Sequence, residues 1–357
     1  MRVAVDARAA GSGRGVARYL ERTLQAAAGL PGTTWAAVLP RGSAFAGTPP
    51  AGVEERPSPR SSRVLFGLAA TTGRPRLERL AGGADVVWLP APAPVAVGAG
   101  VPLVLTVHDL SFVQRPGDFT PYERLWHRAM RIDRLLGRAA AIVCVSDAVA
   151  GEVRARRPDL APRVRVIAPG VDPAPAGPPA PLPPGLPPRF LLYVGALEPR
   201  KAPGVLADAY AAARARGLDA GLVVAGEGRE APRLHGPGVH HLGRVDDATL
   251  HALYGAALAV VLPSYLEGFG LPPLEAAAHG TPAIVSDLPV FRATIGAGAL
   301  RVPPGDADAL AAALLEVGGD AALRTRLATA GRAAIAPLSW EASAAALTEV
   351  LTRAARS

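Results

Sequence analysis

Short, predominantly apolar runs recur along the chain, and most are followed by a stretch with helical spacing. The runs are Met1 to Asp6, Thr34 to Leu39, Ala84 to Leu89, Pro102 to Val107, Ala141 to Val145 and Arg163 to Ala168 in the first half. Phe190 to Gly195, Gly221 to Gly226, Val239 to Gly243, Leu258 to Leu262 and Ala283 to Ser286 follow in the second. A strand with one wet face alternates apolar and polar residues, whereas a continuously apolar strand is buried on both faces. Helical spacing covers Val16 to Ala28, Ala148 to Arg156, Pro203 to Arg216, Ala248 to Ala256, Pro272 to His279, Asp306 to Glu316, Asp320 to Ala334 and Trp340 to Ala355. Strands alternating with helices imply a parallel sheet covered on both faces. Pro173 to Pro188 is dominated by proline, alanine and glycine, which suit neither a helix nor a sheet interior, so it reads as a semi-stiff linker. With 357 residues there is room for two domains. The expected division is residues 1–180, 181–338 and a closing helix over 339–357.

Val261 to Thr281, VLPSYLEGFGLPPLEAAAHGT, carries most of the chemistry. An apolar strand enters a loop containing Gly268 and Gly270, and the loop opens a helix at Pro272 and Pro273. Proline fits a first helical turn because its missing N–H would be unpaired there. Gly280 and Pro282 end the helix. The free N–H groups at the helix start favour an anion such as a diphosphate. Glu267 and Glu275 flank that start, and hydroxyls of a sugar or ribose are natural partners for them. Arg200 and Lys201 lie in a second loop between a strand and a proline-started helix, which makes a strong diphosphate site. His108 and Asp109 follow directly on a strand, where open α/β sheets place ligands. Gly11, Gly13 and Gly15 form a flexible loop after the first strand, without a G-x-G-x-x-G match.

The net charge of +8 is almost all arginine and favours anionic partners: nucleotide diphosphates, anionic lipid or nucleic acid. No zinc-finger spacing, RNP-like aromatic motif or clear helix-turn-helix supports nucleic acid. Cys144 is the single cysteine, which excludes a disulfide framework, and its apolar strand marks it as inert. Pro40 to Leu80 reads as a loose basic loop with Arg56, Arg60, Arg63, Arg74, Arg76 and Arg79, either solvated or receiving an anionic acceptor. Thr120 to Gly137 reads as one helix, with Arg124, Arg128, Arg131, Arg134 and Arg138 on one face and Leu125, Ala129, Ile132 and Leu136 on another. Such a helix either packs on its sheet or rests on anionic lipid. No signal peptide and no bilayer-length apolar run is visible, so the chain is expected in the cytoplasm, either free or peripheral to the inner face of the membrane.

Several motifs, in order, carry a family resemblance. EGFGLPPLEAAAHGTPAIVSD resembles the E-x7-E motif of retaining glycosyltransferases of family 4, which have the two-Rossmann GT-B fold. HDLSF resembles the HD motif of that family, YVGALEPRKAPG its V-G-x-L-E-P-R-K signature, and PGVD its N-P-x-G-V-D segment. The Gly13 to Tyr19 stretch resembles its glycine-rich opening, and LSWE the segment where GT-B chains cross back to the first domain. The resemblance implies two Rossmann-like domains facing across a cleft, with the donor site between them, and transfer with retention from a nucleotide sugar. HDLSF and EPRK look most like GDP-mannose enzymes, with UDP-glucose or UDP-N-acetylglucosamine as the alternative. It implies a glycan or lipid-linked acceptor, no cofactor besides the nucleotide sugar, and no metal, since no DxD-type motif is evident. In the family pattern, His108 contacts the transferred sugar and Glu267 orients it. Arg200 and Lys201 hold the diphosphate, and Gly15 admits the donor phosphates. Gly268, Phe269, Gly270 and Leu271 line the donor, Glu275 holds ribose and Asp246 lies near the base. Many relatives have arginine where this chain has Ala196. Two readings of another kind are a non-catalytic nucleotide-sugar binder and a basic nucleic-acid binder.

Overall fold

The computed structural model describes residues 1–13 and 15–356. Every strand pairing is parallel. The first sheet contains β1 (Arg2–Asp6), β2 (Thr34–Arg41), β3 (Val53–Ser61), β4 (Val86–Leu89), β5 (Leu103–Val107), β6 (Ala141–Cys144) and β7 (Val164–Val166). Its spatial order is β3-β2-β1-β4-β5-β6-β7. The second contains β8 (Phe190–Val194), β9 (Gly221–Ala225), β10 (Val239–Gly243), β11 (Ala259–Leu262), β12 (Ala283–Ser286) and β13 (Ala299–Val302), ordered β10-β9-β8-β11-β12-β13. Both are doubly wound: the strand order reverses between β1 and β4, and again between β8 and β11. Crevices at such switch points, beyond the carboxyl ends of the strands, are where this architecture binds ligands.

The chain divides into two compact units, Met1–Gly170 with the C-terminal stretch from Leu338, and Val171–Pro337. The division falls ahead of the proline-rich stretch, at Gly170, where a Cβ would lie 2.2 Å from the Trp340 amide nitrogen. Only glycine lets that turn and the start of the last helix meet so closely. The last helix, Trp340–Arg356, buries Trp340, Ala344, Leu347, Leu351 and Ala354 in one cluster with Val3, Val5, Tyr19 and Leu20. It is therefore part of the first core. Cys144 is buried in β6, and burial pushes its thiol up to about 12, which leaves it unreactive as a thiolate.

Three expectations need correction. Pro40 to Leu80 is not a loose loop: it forms β3, the helix Ser62–Thr72 and a turn of helix at Leu77–Leu80. β3 carries Pro57 and Pro59 and buries only Ser58, which an edge strand tolerates because one side of its ladder is free. Thr120 to Gly137 is not one helix. Pro121–Met130 and Ile132–Arg138 are separated by Arg131 in the left-handed region at φ 48. The break turns Ile132 and Leu136 inward while Leu125 and Ala129 stay exposed. The short edge strand β13 and the helix Pro289–Thr294 have no counterpart among the expected elements, because four to six residues give too little periodicity. Among the described residues no helix is long and apolar enough to cross a membrane.

Candidate active site

The site in the second unit is built on the strand order. β8 and β11 are neighbours at the switch point, and each ends in a loop that carries charge. The loop after β8 passes through a single turn, Pro199–Lys201, then Ala202 at φ 52, and enters the helix Pro203–Ala215. The loop after β11 runs through Ser264 and Glu267 to Gly270, whose φ of 78 starts the helix Leu271–Ala278. A Cβ on Gly270 would sit 2.3 Å from the Phe291 ring, so the loop requires glycine there for shape and for backbone angle. The two loops are tied backbone to backbone, the Tyr265 amide donating to the Arg200 carbonyl at 2.8 Å.

Their side chains meet as well. Lys201 Nζ donates to Glu267 Oε1 at 2.5 Å, and Ser264 Oγ donates to the same oxygen at 2.7 Å. The Lys201 and Glu267 side chains keep only 13% and 6% of their exposure, so the pair is largely withdrawn from water. A buried charge pair of this kind is tolerated only because it is matched and hydrogen-bonded. Arg200, beside it, makes no ion pair among the described residues. Tyr193, whose hydroxyl burial pushes well above its usual range, stays protonated and donates to the Ala196 carbonyl at 3.0 Å. That bond fixes the loop at Ala196, where the family pattern implies arginine.

Glu275 lies on the helix Leu271–Ala278, where its Oε2 accepts from the Tyr254 hydroxyl at 2.7 Å. Phe269 is buried and Leu271 half-buried, so they wall the loop more than they open it. Asp246 caps the helix Asp247–Ala256, accepting from the Thr249 amide at 2.8 Å, and its bonds to Thr249 hold its carboxyl below the usual range. Sequence reasoning missed Ser264, Tyr193 and Tyr254. The available signal was a hydroxyl inside a buried apolar element, which needs a partner. It also missed Gly226 and Gly228. Cβ atoms there would fall 1.9 Å from the Gly195 carbonyl oxygen and 2.3 Å from that of Leu197, so the loops after β8 and β9 touch through their backbones.

In the first unit, His108 follows β5 and is half-buried. Its Nε2 lies 2.8 Å from the Pro90 carbonyl, which can only accept, so Nε2 carries the proton and Nδ1 is left as an acceptor. Burial lowers the pKa of the ring, and Tyr19 packs edge-on against it at 4.8 Å between centroids. Asp109 is turned to the backbone, accepting from the Ser111 amide at 2.9 Å. Gly15 opens the helix Gly15–Ala27, and a Cβ there would meet nothing within 4 Å. Among the described residues no three histidine, cysteine or carboxylate side chains gather as metal ligands.

Two family models cover most of the chain. One for glycosyltransferase family 4 matches residues 13–175, and one for group 1 glycosyl transferases matches residues 180–334. The chain belongs to glycosyltransferase family 4. Among curated relatives, the chain is 38% identical over 103 residues to the O-antigen chain mannosyltransferase B of Escherichia coli, covering 29% of this chain and 27% of that one. It is 34% identical over 293 residues to a D-inositol 3-phosphate glycosyltransferase of Saccharomonospora viridis, covering 71% of this chain and 65% of that one. This family 4 chain thus spans less than two thirds of the length of either relative. Among solved structures, it resembles Anabaena HepE in complex with UDP and glucose, with a TM-score of 0.71, 18% identity, and coverage of 98% and 99% of the two chains. That likeness places the chain in the GT-B fold.

Proposed function

We propose that this chain moves a hexose, with retention of anomeric configuration and without a metal, from a nucleotide-diphosphate sugar to a glycan or lipid-linked acceptor. The observation that carries the reading is the Lys201–Glu267 pair, held by Ser264 at the β8/β11 switch point beside a glycine-started helix. A departing diphosphate needs its growing charge stabilised, and preorganised cations with free helix N–H groups do this without reorganisation. Arg200 has no competing carboxylate among the described residues, so it is available to the same phosphates. Glu267 and the amides of Gly268 to Gly270 orient the sugar, and Glu275, aimed by Tyr254, holds ribose. His108, with Nδ1 as its accepting nitrogen, accepts a hydrogen bond from a hydroxyl of the sugar.

GDP-mannose is the favoured donor, in keeping with the mannosyltransferase relative of Escherichia coli. A UDP sugar is the second reading, and HepE, solved with UDP and glucose, favours it. A thermal-shift screen of GDP, UDP and ADP sugars decides, since a ligand at a hundred times its dissociation constant adds about 2.7 kcal/mol of stability. Product anomer analysis then tests retention. No stabilisation by any nucleotide sugar overturns the reading, and stabilisation without transfer to any acceptor leaves a binding protein.

The acceptor side includes a membrane reading. Tyr122 and Leu125 are 57% and 64% exposed on one face of the helix Pro121–Met130, next to exposed Arg124, Arg128 and Arg131. An apolar stripe bordered by arginines suits an anionic bilayer surface. Sedimentation with phosphatidylglycerol vesicles, lost in Leu125→Glu and absent with phosphatidylcholine alone, is the expected result. Equal sedimentation of the variant removes the reading.

A further inference from the structure

The stretch expected to be a loose loop lines an open cavity of about 340 Å³ in the first unit. Arg60 at the end of β3, Leu68 and Thr72 on the helix Ser62–Thr72, and Arg74, Arg76 and Arg79 beyond it line the space. All four arginines are exposed. Among the described residues none of their guanidiniums pairs with a carboxylate, although arginines elsewhere in the unit do so: Arg2 and Arg56 with Glu54, Arg156 with Asp133, Arg157 with Asp159. The neighbouring Glu78 carboxylate is buried and accepts from the Gly98 amide at 3.1 Å, beside Arg76 but in no ion pair with it among the described residues.

Four like charges around one concavity repel each other, and a bound anion relieves the part of that repulsion that water and salt do not screen. Guanidinium forks match the oxygens of a phosphoryl group in pairs, which a point charge cannot do. The cavity is at the lower end of the volume range for small-molecule sites, large enough for a phosphoryl group with part of its carrier. Leu68 adds an apolar contact for that carrier, while the Thr72 hydroxyl is bonded to the Leu68 carbonyl and the Arg74 amide and braces the turn that presents Arg74.

We propose that this cavity is a binding site for a phosphate-bearing group, a phosphomonoester or a diphosphate, held by Arg60, Arg74, Arg76 and Arg79. It is carried wholly by residues of the first unit, so it does not depend on the function proposed above. The phosphate can reach it on a soluble molecule or on a lipid.

Arginine footprinting with phenylglyoxal tests this on the intact chain. Inorganic pyrophosphate should slow modification of at least three of the four cavity arginines several-fold, with Arg63 and Arg124 reacting as before. Calorimetric titration with pyrophosphate should show one binding step weakened about tenfold or more in Arg74→Ala/Arg79→Ala. That step should be partly restored in Arg74→Lys/Arg79→Lys and kept in Lys201→Ala. A second footprint with phosphatidic acid vesicles distinguishes the sources. Protection by pyrophosphate alone supports a soluble ligand, and added protection by the vesicles supports a lipid-borne one. Unchanged modification of the four arginines under both conditions, or protection of Arg200 only, overturns the site.

Discussion

The two sheets share one winding, yet the two units handle charge in opposite ways. In the second unit the carboxylates are already engaged: Glu267 takes Lys201 and Ser264, and Glu275 takes Tyr254. In the first unit the arginines around the β3 cavity have no carboxylate partner among the described residues, and burial lowers the pKa of His108. A site whose charges cancel internally keeps its geometry before any ligand arrives, which is the condition for stabilising a transition state. A site with uncancelled charge takes its shape and its neutrality from what binds. On the roles proposed above, the difference separates a place built for chemistry from one built for capture.

The largest expected effect breaks the first half of that comparison. Lys201→Ala should lower turnover by roughly a hundredfold or more, about 3 kcal/mol, with a smaller change in donor affinity. It also leaves Glu267 buried without its cation, so steady-state constants should be measured alongside thermal stability. Near-normal turnover would move leaving-group stabilisation to another residue, and Arg200→Ala would be the next variant to measure. Gly228→Ala should follow in size. Its Cβ would run into the Leu197 carbonyl, and such overpacking typically costs about 1–3 kcal/mol. Chemical denaturation would show it, and an unchanged midpoint would mean that the two loops part easily.

Glu275→Gln should weaken donor binding about tenfold, or about 1.4 kcal/mol, with turnover at saturating donor little changed. Tyr254→Phe, which removes only the hydroxyl aimed at Glu275, should reproduce part of that loss, on the order of 1 kcal/mol. If calorimetry shows full affinity in both, Glu275 does not touch the donor. The smallest effect concerns pH. His108, His127 and His279 are all held below the ordinary value of 6.5, chiefly by burial. The unfolded chain then binds more protons than the folded one as pH falls below 6.5. Stability should therefore be complete above that value and decline beneath it, by at most about 1.4 kcal/mol per histidine for every pH step of one. His108→Gln should flatten part of that decline in denaturation curves between about pH 5 and 7.

Legibility followed burial. The central strands announced themselves because both faces are covered, and every expected apolar run coincides with a strand of one of the two sheets. β3 did not, because an edge strand reading VEERPSPRS buries one residue and carries two prolines. The turn at Arg131 was invisible for another reason: a non-glycine residue at φ 48 is imposed by tertiary packing, and no local residue signals it. At the site, Lys201 and Glu267 were legible as separate members of two motifs. Their contact was not, since it depends on β8 and β11 being neighbours, a fact of strand order that a separation of 66 residues conceals. Tyr254 and Ser264 were hidden because each is one hydroxyl in an apolar element.

The closing helix has a consequence for how the chain is made. Trp340, Leu347 and Leu351 complete a core whose other members include Val3, Val5 and Leu20. During synthesis, the unit that begins first is therefore the one that finishes last. Its opening strands lack that helix until the second unit, Val171–Pro337, has been made.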